Sequence, residues 1–109
     1  MLVLPIKKKW FDMIKDGIKL EEYREIKPYY TTRFLNSGHL KQMVDIRKPD
    51  EEPKIVNNGK NWVLFRNGYS NSSPSFRALV SVTCDKGNPD WGAEKDKLYY
   101  VLKIEKIER

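Results

Sequence analysis

Apolar residues along this chain change their spacing several times, and each change marks a different element. Leu2 to Ile6 is a short apolar run that reads as a strand, with Pro5 tolerable only at a sheet edge or near the strand end. From Lys7 to Asp16 the spacing becomes helical: Trp10, Phe11, Met13 and Ile14 cluster on one stripe, and Gly17 follows where a left-handed C-cap residue is expected. The same spacing assigns Trp10 to the core with Met13 and Ile14. Lys19 to Ile26 has no continuous helical stripe, because Glu21, Glu22, Arg24 and Glu25 interrupt it. As a strand it sets Leu20, Glu22, Arg24 and Ile26 on one side and Lys19, Glu21, Tyr23 and Glu25 on the other. Pro28 then opens a predicted short helix from Pro28 to Phe34, since proline suits a first helical turn.

Leu35 to Asn61 has little periodicity. Leu40, Met43, Val44 and Ile46 predict a short helix or strand, and the turn-rich tail from Lys48 to Asn61 predicts a long surface loop. Three later strands are clearly patterned. Asn61 to Arg66 alternates Trp62, Leu64 and Arg66 against Val63 and Phe65; Phe76 to Cys84 alternates Phe76, Ala78, Val80, Val82 and Cys84 against Arg77, Leu79, Ser81 and Thr83. Leu98 to Ile107 places Leu98, Tyr100, Leu102 and Ile104 on one face. The Ser/Asn stretch from Ser70 to Ser75 reads as an exposed loop, and no internal repeat is visible. Strand, helix, strand, helix and then a series of strands without crossover helices predict an α+β or small-barrel architecture and disfavour a parallel sheet.

The length of 109 residues matches one compact domain, and three Trp, six Tyr and four Phe provide large anchors for a small core. Cys84 is the only cysteine, which excludes an intramolecular disulfide and fits a reducing, cytoplasmic setting. His39 is also alone, so a Cys/His zinc site is not expected and no metal or other cofactor is assigned. The N-terminal apolar run precedes Lys7, Lys8 and Lys9, the reverse of a signal peptide, and no segment has membrane-spanning length. A formal charge of +6 favours polyanionic partners such as RNA or nucleotides. P-loop and GxSxG motifs are absent, and a single histidine cannot serve a Ser/His/Asp set near its nucleophile by any visible motif.

The densest chemistry is Gly17 to Arg24, G-I-K-L-E-E-Y-R. Gly17 permits a sharp reversal after the helix and sets Lys19 at the start of the next strand. Glu22 and Arg24, two residues apart on that strand, share a face with about 7 Å between their bases, within reach of an ion pair or a common ligand. The structural alternative is a pair that only holds the barrel mouth, with Lys19 solvated.

This segment fits the GxKxxExR signature, and with it the chain resembles the ASCH family. The flanking L-P-I-K-K-K-W-F-D-M-I-K, the later F-R-N-G-Y (Phe65 to Tyr69), W-G-A-E (Trp91 to Glu94) and Y-Y-V-L-K-I (Tyr99 to Ile104) also look like a bacterial or phage-type member. The resemblance implies a small PUA-like β-barrel of about five to six mainly antiparallel strands with flanking short helices, a cleft beside the motif, an association with RNA, and no cofactor. Some ASCH proteins resemble amidohydrolases acting on 4-acetylcytidine, with a lysine at the position of Lys19, a threonine where this chain has Glu22, and a glutamate from a later strand. Glu94 is the nearest candidate for that glutamate by motif.

Three functions are expected. The first is an RNA- or nucleoside-binding cleft, with Lys7, Lys8, Lys19, Arg24, Arg66 and Asn67 as polar contacts, Glu22 accepting from a base amino group, and Tyr69 and Trp91 stacking on bases. The second is an amidohydrolase or ribonuclease with Lys19 and Glu22 as catalytic groups. The third is a regulatory or interaction module in which the motif only stabilises the barrel. Asn67-Gly68 also reads as a plain turn, and Trp91 as a plug at the barrel end.

Overall fold

The structure, a computed structural model, describes residues 1–109. It is an α+β protein built on a curled, half-barrel sheet of five strands. In chain order the elements are β1 (Leu2–Pro5), α1 (Lys8–Lys15), β2 (Glu21–Arg24), α2 (Pro28–Asn36), β3 (Leu40–Met43), β4 (Lys54–Asn57), β5 (Asn61–Arg66), β6 (Ser75–Lys86) and β7 (Leu98–Glu108). The sheet order is β1-β5-β6-β7-β2, and β3 and β4 form a separate hairpin. All pairings but one are antiparallel. The exception is β1 with β5, which run parallel at one edge. The expectation against parallel pairing considered only the later strands; here everything from α1 to β4 serves as the crossover.

The two edge strands, β1 and β2, face each other across the gap that a closed barrel would seal. Pro5 ends β1 at the edge, where its missing N–H costs no ladder bond. The concave face holds the core: Leu2 and Leu4, Val63 and Phe65, Phe76, Ala78, Val80 and Val82, and Tyr100 and Leu102, closed from one side by Phe11 and Ile14 of α1 and from another by Phe34 of α2. The alternation predicted for β5 and for most of β6 is therefore the observed one. Cys84 is different: it lies exposed near the end of β6, because β5 pairs only as far as Val80 and the last residues of β6 outrun the core.

β7 departs from simple alternation in two ways. Tyr99 and Val101, on the outer face, are buried as well, under a small second cluster with Ala93 and Tyr23. A bulge between Leu79 and Val80 in the pairing leaves Glu105 without a partner, so that Ile104 and Ile107, three apart, both pack on the core. Leu98, expected on the inner face, is exposed at the strand start.

The unpatterned middle of the chain resolves into the β3–β4 hairpin, in which every residue from 41 to 55 is exposed. Its base is fixed by polar contacts. The Asn57 side chain donates to the Val82 carbonyl at 2.8 Å, and buried His39 bridges Ser37 and the Asn61 carbonyl. Because a carbonyl only accepts, Nε2 of His39 carries the proton and Nδ1 accepts from the Ser37 hydroxyl at 2.6 Å.

Burial lowers the His39 pKa from its ordinary 6.5, with the bond to Asn61 opposing in part. Above that value the ring is neutral in both folded and unfolded chains. As pH falls below 6.5 the unfolded chain takes up the proton first, so stability declines until the folded ring is protonated too. The single histidine is expected to titrate in NMR with a midpoint below 6.5, and a midpoint at or above that value would contradict the buried, neutral assignment.

Candidate functional site

Gly17 sets the site in motion. It adopts φ +76° directly after α1, and Ile18 and Lys19 both return their N–H groups to the Met13 carbonyl, at 2.9 and 3.0 Å. The chain thus doubles back before β2 begins, and Lys19 is carried in this turn and not in the strand. The predicted strand from Lys19 to Ile26 is shortened to Glu21–Arg24; Leu20 and Ile26, expected on one face with Glu22, lie outside it and are 54% and 45% exposed, whereas Glu22 is 7% exposed, and Lys19, expected on the opposite face, turns toward Glu22. The reason lies in the register. Glu22 pairs with Leu102 and Arg24 with Tyr100, so both charged side chains share the concave face with core residues and point into the gap between β2 and β1.

Three charges meet there. Lys19, 1% exposed, donates from Nζ to Glu22 Oε1 at 2.7 Å and to the Trp91 carbonyl at 2.8 Å. The same ammonium lies 4.5 Å from the Trp10 ring centroid and 5.3 Å from that of Tyr23. Arg24 Nη2 donates to Glu22 Oε2 and to the Pro5 carbonyl, each at 3.0 Å. Arg24 therefore spans the open seam of the half-barrel, from one edge strand to the other, through a side chain instead of a backbone ladder. Its Nε is buried and has no partner.

Two cations share one carboxylate, and water is nearly excluded from the Lys19–Glu22 contact. Removal from water pulls Lys19 below the ordinary lysine value, and the attraction of Glu22 opposes that shift. Tyr23 is raised above the ordinary phenol value, chiefly by burial; its hydroxyl donates to Glu21 at 2.7 Å and accepts the N–H of Asn88 at 2.9 Å.

A cleft of about 750 Å³ opens over this cluster. Glu22 and Arg24 form part of its floor, Pro5 and Ile6 one side, and Asn67, Gly68 and Tyr69 a rim. Trp10, Tyr23, Tyr30, Trp91 and Tyr99 supply aromatic walls, and Lys7, Lys97, Glu25 and Glu94 supply charge at the margins. Gly92, φ +98°, is required by this packing: a Cβ there would stand 2.9 Å from the Trp10 ring.

Of the residues expected at the site, Lys7, Glu22, Arg24, Asn67, Tyr69 and Trp91 line the cleft, and Lys19 lies beneath it. Asn67 is tied down, donating to the Ile6 carbonyl at 3.1 Å. Lys8 does not belong to the cleft; it turns to Asp12 on the surface of α1. Arg66 is absent as well, since it alternates onto the outer face of β5 while Val63 and Phe65 point inward. Lys19 is not solvated, contrary to one reading of the motif. Trp10, assigned to the core by its spacing, is a partly exposed wall of the cleft. Tyr30, Lys97 and Tyr99 were not expected at the site; Tyr99 opens the Y-Y-V-L-K-I segment, and no motif marks Tyr30 or Lys97. No protein-family model, curated protein or solved structure matches the chain.

Glu22→Gln is expected to destabilise the fold by about 3 kcal/mol, because it leaves two buried cations without a counter-charge. Lys19→Met keeps the stem and leaves Glu22 paired with Arg24, so it is expected to cost less. Urea unfolding of both variants measures the order, and a larger loss for Lys19→Met would show that Glu22 is not the keystone.

Proposed function

We propose that this is an ASCH-type protein whose curled sheet is a PUA-like barrel with Arg24 across its seam, and whose cleft binds a nucleobase, nucleoside or RNA. The observation that carries this reading is the Arg24 guanidinium lining a cleft walled by aromatic rings. Planar rings favour a planar ligand, and the guanidinium favours one that carries a phosphate or carbonyl acceptor. Charge supports it too, since Lys19 and Arg24 exceed Glu22 by one positive charge whenever Lys19 is protonated. Each Glu22 oxygen already accepts one bond and retains a second lone pair, which suits an exocyclic base amino group.

Titration with mononucleotides and short RNA at low ionic strength is expected to show affinity above that of a control protein of equal charge, falling as salt rises. Trp91→Ala is expected to weaken binding by about tenfold. Affinity no greater than the control, or unchanged in Trp91→Ala, would remove the cleft from consideration.

One observation favours the second reading, deacylation of an acylated cytidine: burial lowers Lys19 toward the neutral amine that nucleophilic or base catalysis needs. Its engagement with Glu22 and the Trp91 carbonyl opposes this, because Nζ would have to leave both partners to reach a substrate. Turnover of acylated cytidine by wild type that vanishes in Lys19→Ala would establish the enzyme; equal turnover by both would take Lys19 out of the mechanism.

A further inference from the structure

The β1 edge separates the cleft from a second cavity of about 620 Å³, lined among others by Val3, Arg33, Asn36, Asn61 and Trp62. The two hollows lie at opposite ends of the same short strand: Pro5 and Ile6 border the first, Met1, Leu2 and Val3 the second. Along the free edge between them two arginines are held by backbone carbonyls. Arg24 donates to Pro5 and Arg33 donates to Val3 at 3.1 Å, and the two acceptors, two residues apart on a strand, lie about 7 Å from each other.

Between the arginines stand two tyrosines of α2. The Arg24 guanidinium lies 5.7 Å from the Tyr30 ring, Tyr30 meets Tyr29 edge-on at 5.0 Å, and the Arg33 guanidinium lies 5.4 Å from Tyr29. The alternation continues past the second cavity, where Arg77 sits 4.7 Å from the Trp62 ring. Tyr29 is 59% exposed and contributes nothing to the core clusters; the i,i+4 spacing on α2 sets it beside Arg33, and its ring stays open to solvent. The Asn36 side-chain amide at the second cavity offers a donor and an acceptor near the Trp62 ring, while that of Asn61 is held in place, donating to the Ser37 carbonyl and accepting from the Trp62 N–H, each at 2.8 Å.

Resting on the nucleic-acid reading of the cleft, we propose that the row Arg24–Tyr30–Tyr29–Arg33 is a track along which a single-stranded nucleic acid runs from the cleft to a second base-binding site at Trp62. Cations spaced along a strand edge take successive phosphates, and rings between and beyond them stack on unpaired bases. A duplex hides the base faces that such a row engages, so the track selects single strands. The ligand is accordingly an oligonucleotide occupying two sites, not an isolated nucleoside.

Fluorescence anisotropy with a labelled single-stranded RNA octamer, a duplex of the same length and a 5′-mononucleotide tests this on the full chain. The octamer is expected to bind at least about tenfold more tightly than the mononucleotide, and Tyr29→Ala and Trp62→Ala each to weaken octamer binding by about tenfold, a larger loss than either causes for the mononucleotide. Tyr29 is exposed, so that variant tests the track even where Trp62→Ala disturbs the sheet. Octamer binding that ignores both substitutions yet falls in Trp91→Ala would refute the track and leave the cleft reading standing. Equal affinity for the duplex would also refute the track. No binding by any probe would overturn the two together.

Discussion

A buried ammonium cannot remain where it is without a carboxylate beside it, and Lys19 and Glu22 satisfy that requirement at 2.7 Å. Much else is arranged around the pair. The second oxygen of Glu22 orients Arg24, Arg24 reaches the Pro5 carbonyl, and the open side of the sheet is thereby bridged. From its other donor position Lys19 fixes the Trp91 carbonyl, which brings the segment after β6 against α1 and makes a wall of Trp91 and Trp10. One ion-pair chain thus links α1, β2, β1 and the β6–β7 connection.

The same chain explains why the cleft is polar at its floor and aromatic at its sides. A fully closed barrel would have carried a backbone ladder between β1 and β2, with no side chain of Glu22 or Arg24 accessible. Here the seam is held by a guanidinium, and the open space beside it is where aromatic rings from α1, α2 and the β6–β7 connection converge. Such a seam costs stability compared with a ladder, since charged groups must be desolvated. The proposed binding function and the further track along α2 both grow from this one geometric fact: the edge strands remain apart, and the Arg24 guanidinium, not a ladder of amides, bridges the gap.

Most of the architecture was legible in the chain because its periodicities are strong. The alternation of Val63 and Phe65, and of Phe76 through Val82, could not be satisfied except by strands facing a core, and Gly17 marked the end of α1 because its φ +76° is a conformation few other residues adopt cheaply. The hairpin of β3 and β4 was illegible, since nearly all its residues are exposed and no face imposes a pattern. Trp10 was misplaced because helical spacing states which residues share a stripe, without stating whether that stripe meets the core or a cleft. Arg66 and Lys8 were expected at the site from their charge and from the F-R-N-G-Y and L-P-I-K-K-K segments, and a segment match does not state which face a side chain takes.

By itself the sequence determined the order of most strands and helices, the basic balance of the chain and the cluster of lysine, glutamate and arginine after Gly17, because these follow from local sterics and from spacing along the backbone. Only the tertiary structure decided that Lys19 is buried, that Glu22 and Arg24 face the core side of β2, and that Trp10, Tyr30 and Tyr99 stand around them. Those outcomes depend on the pairing of β2 with β7 and on the gap left opposite β1, which are contacts between residues distant in the chain, and no local period encodes them.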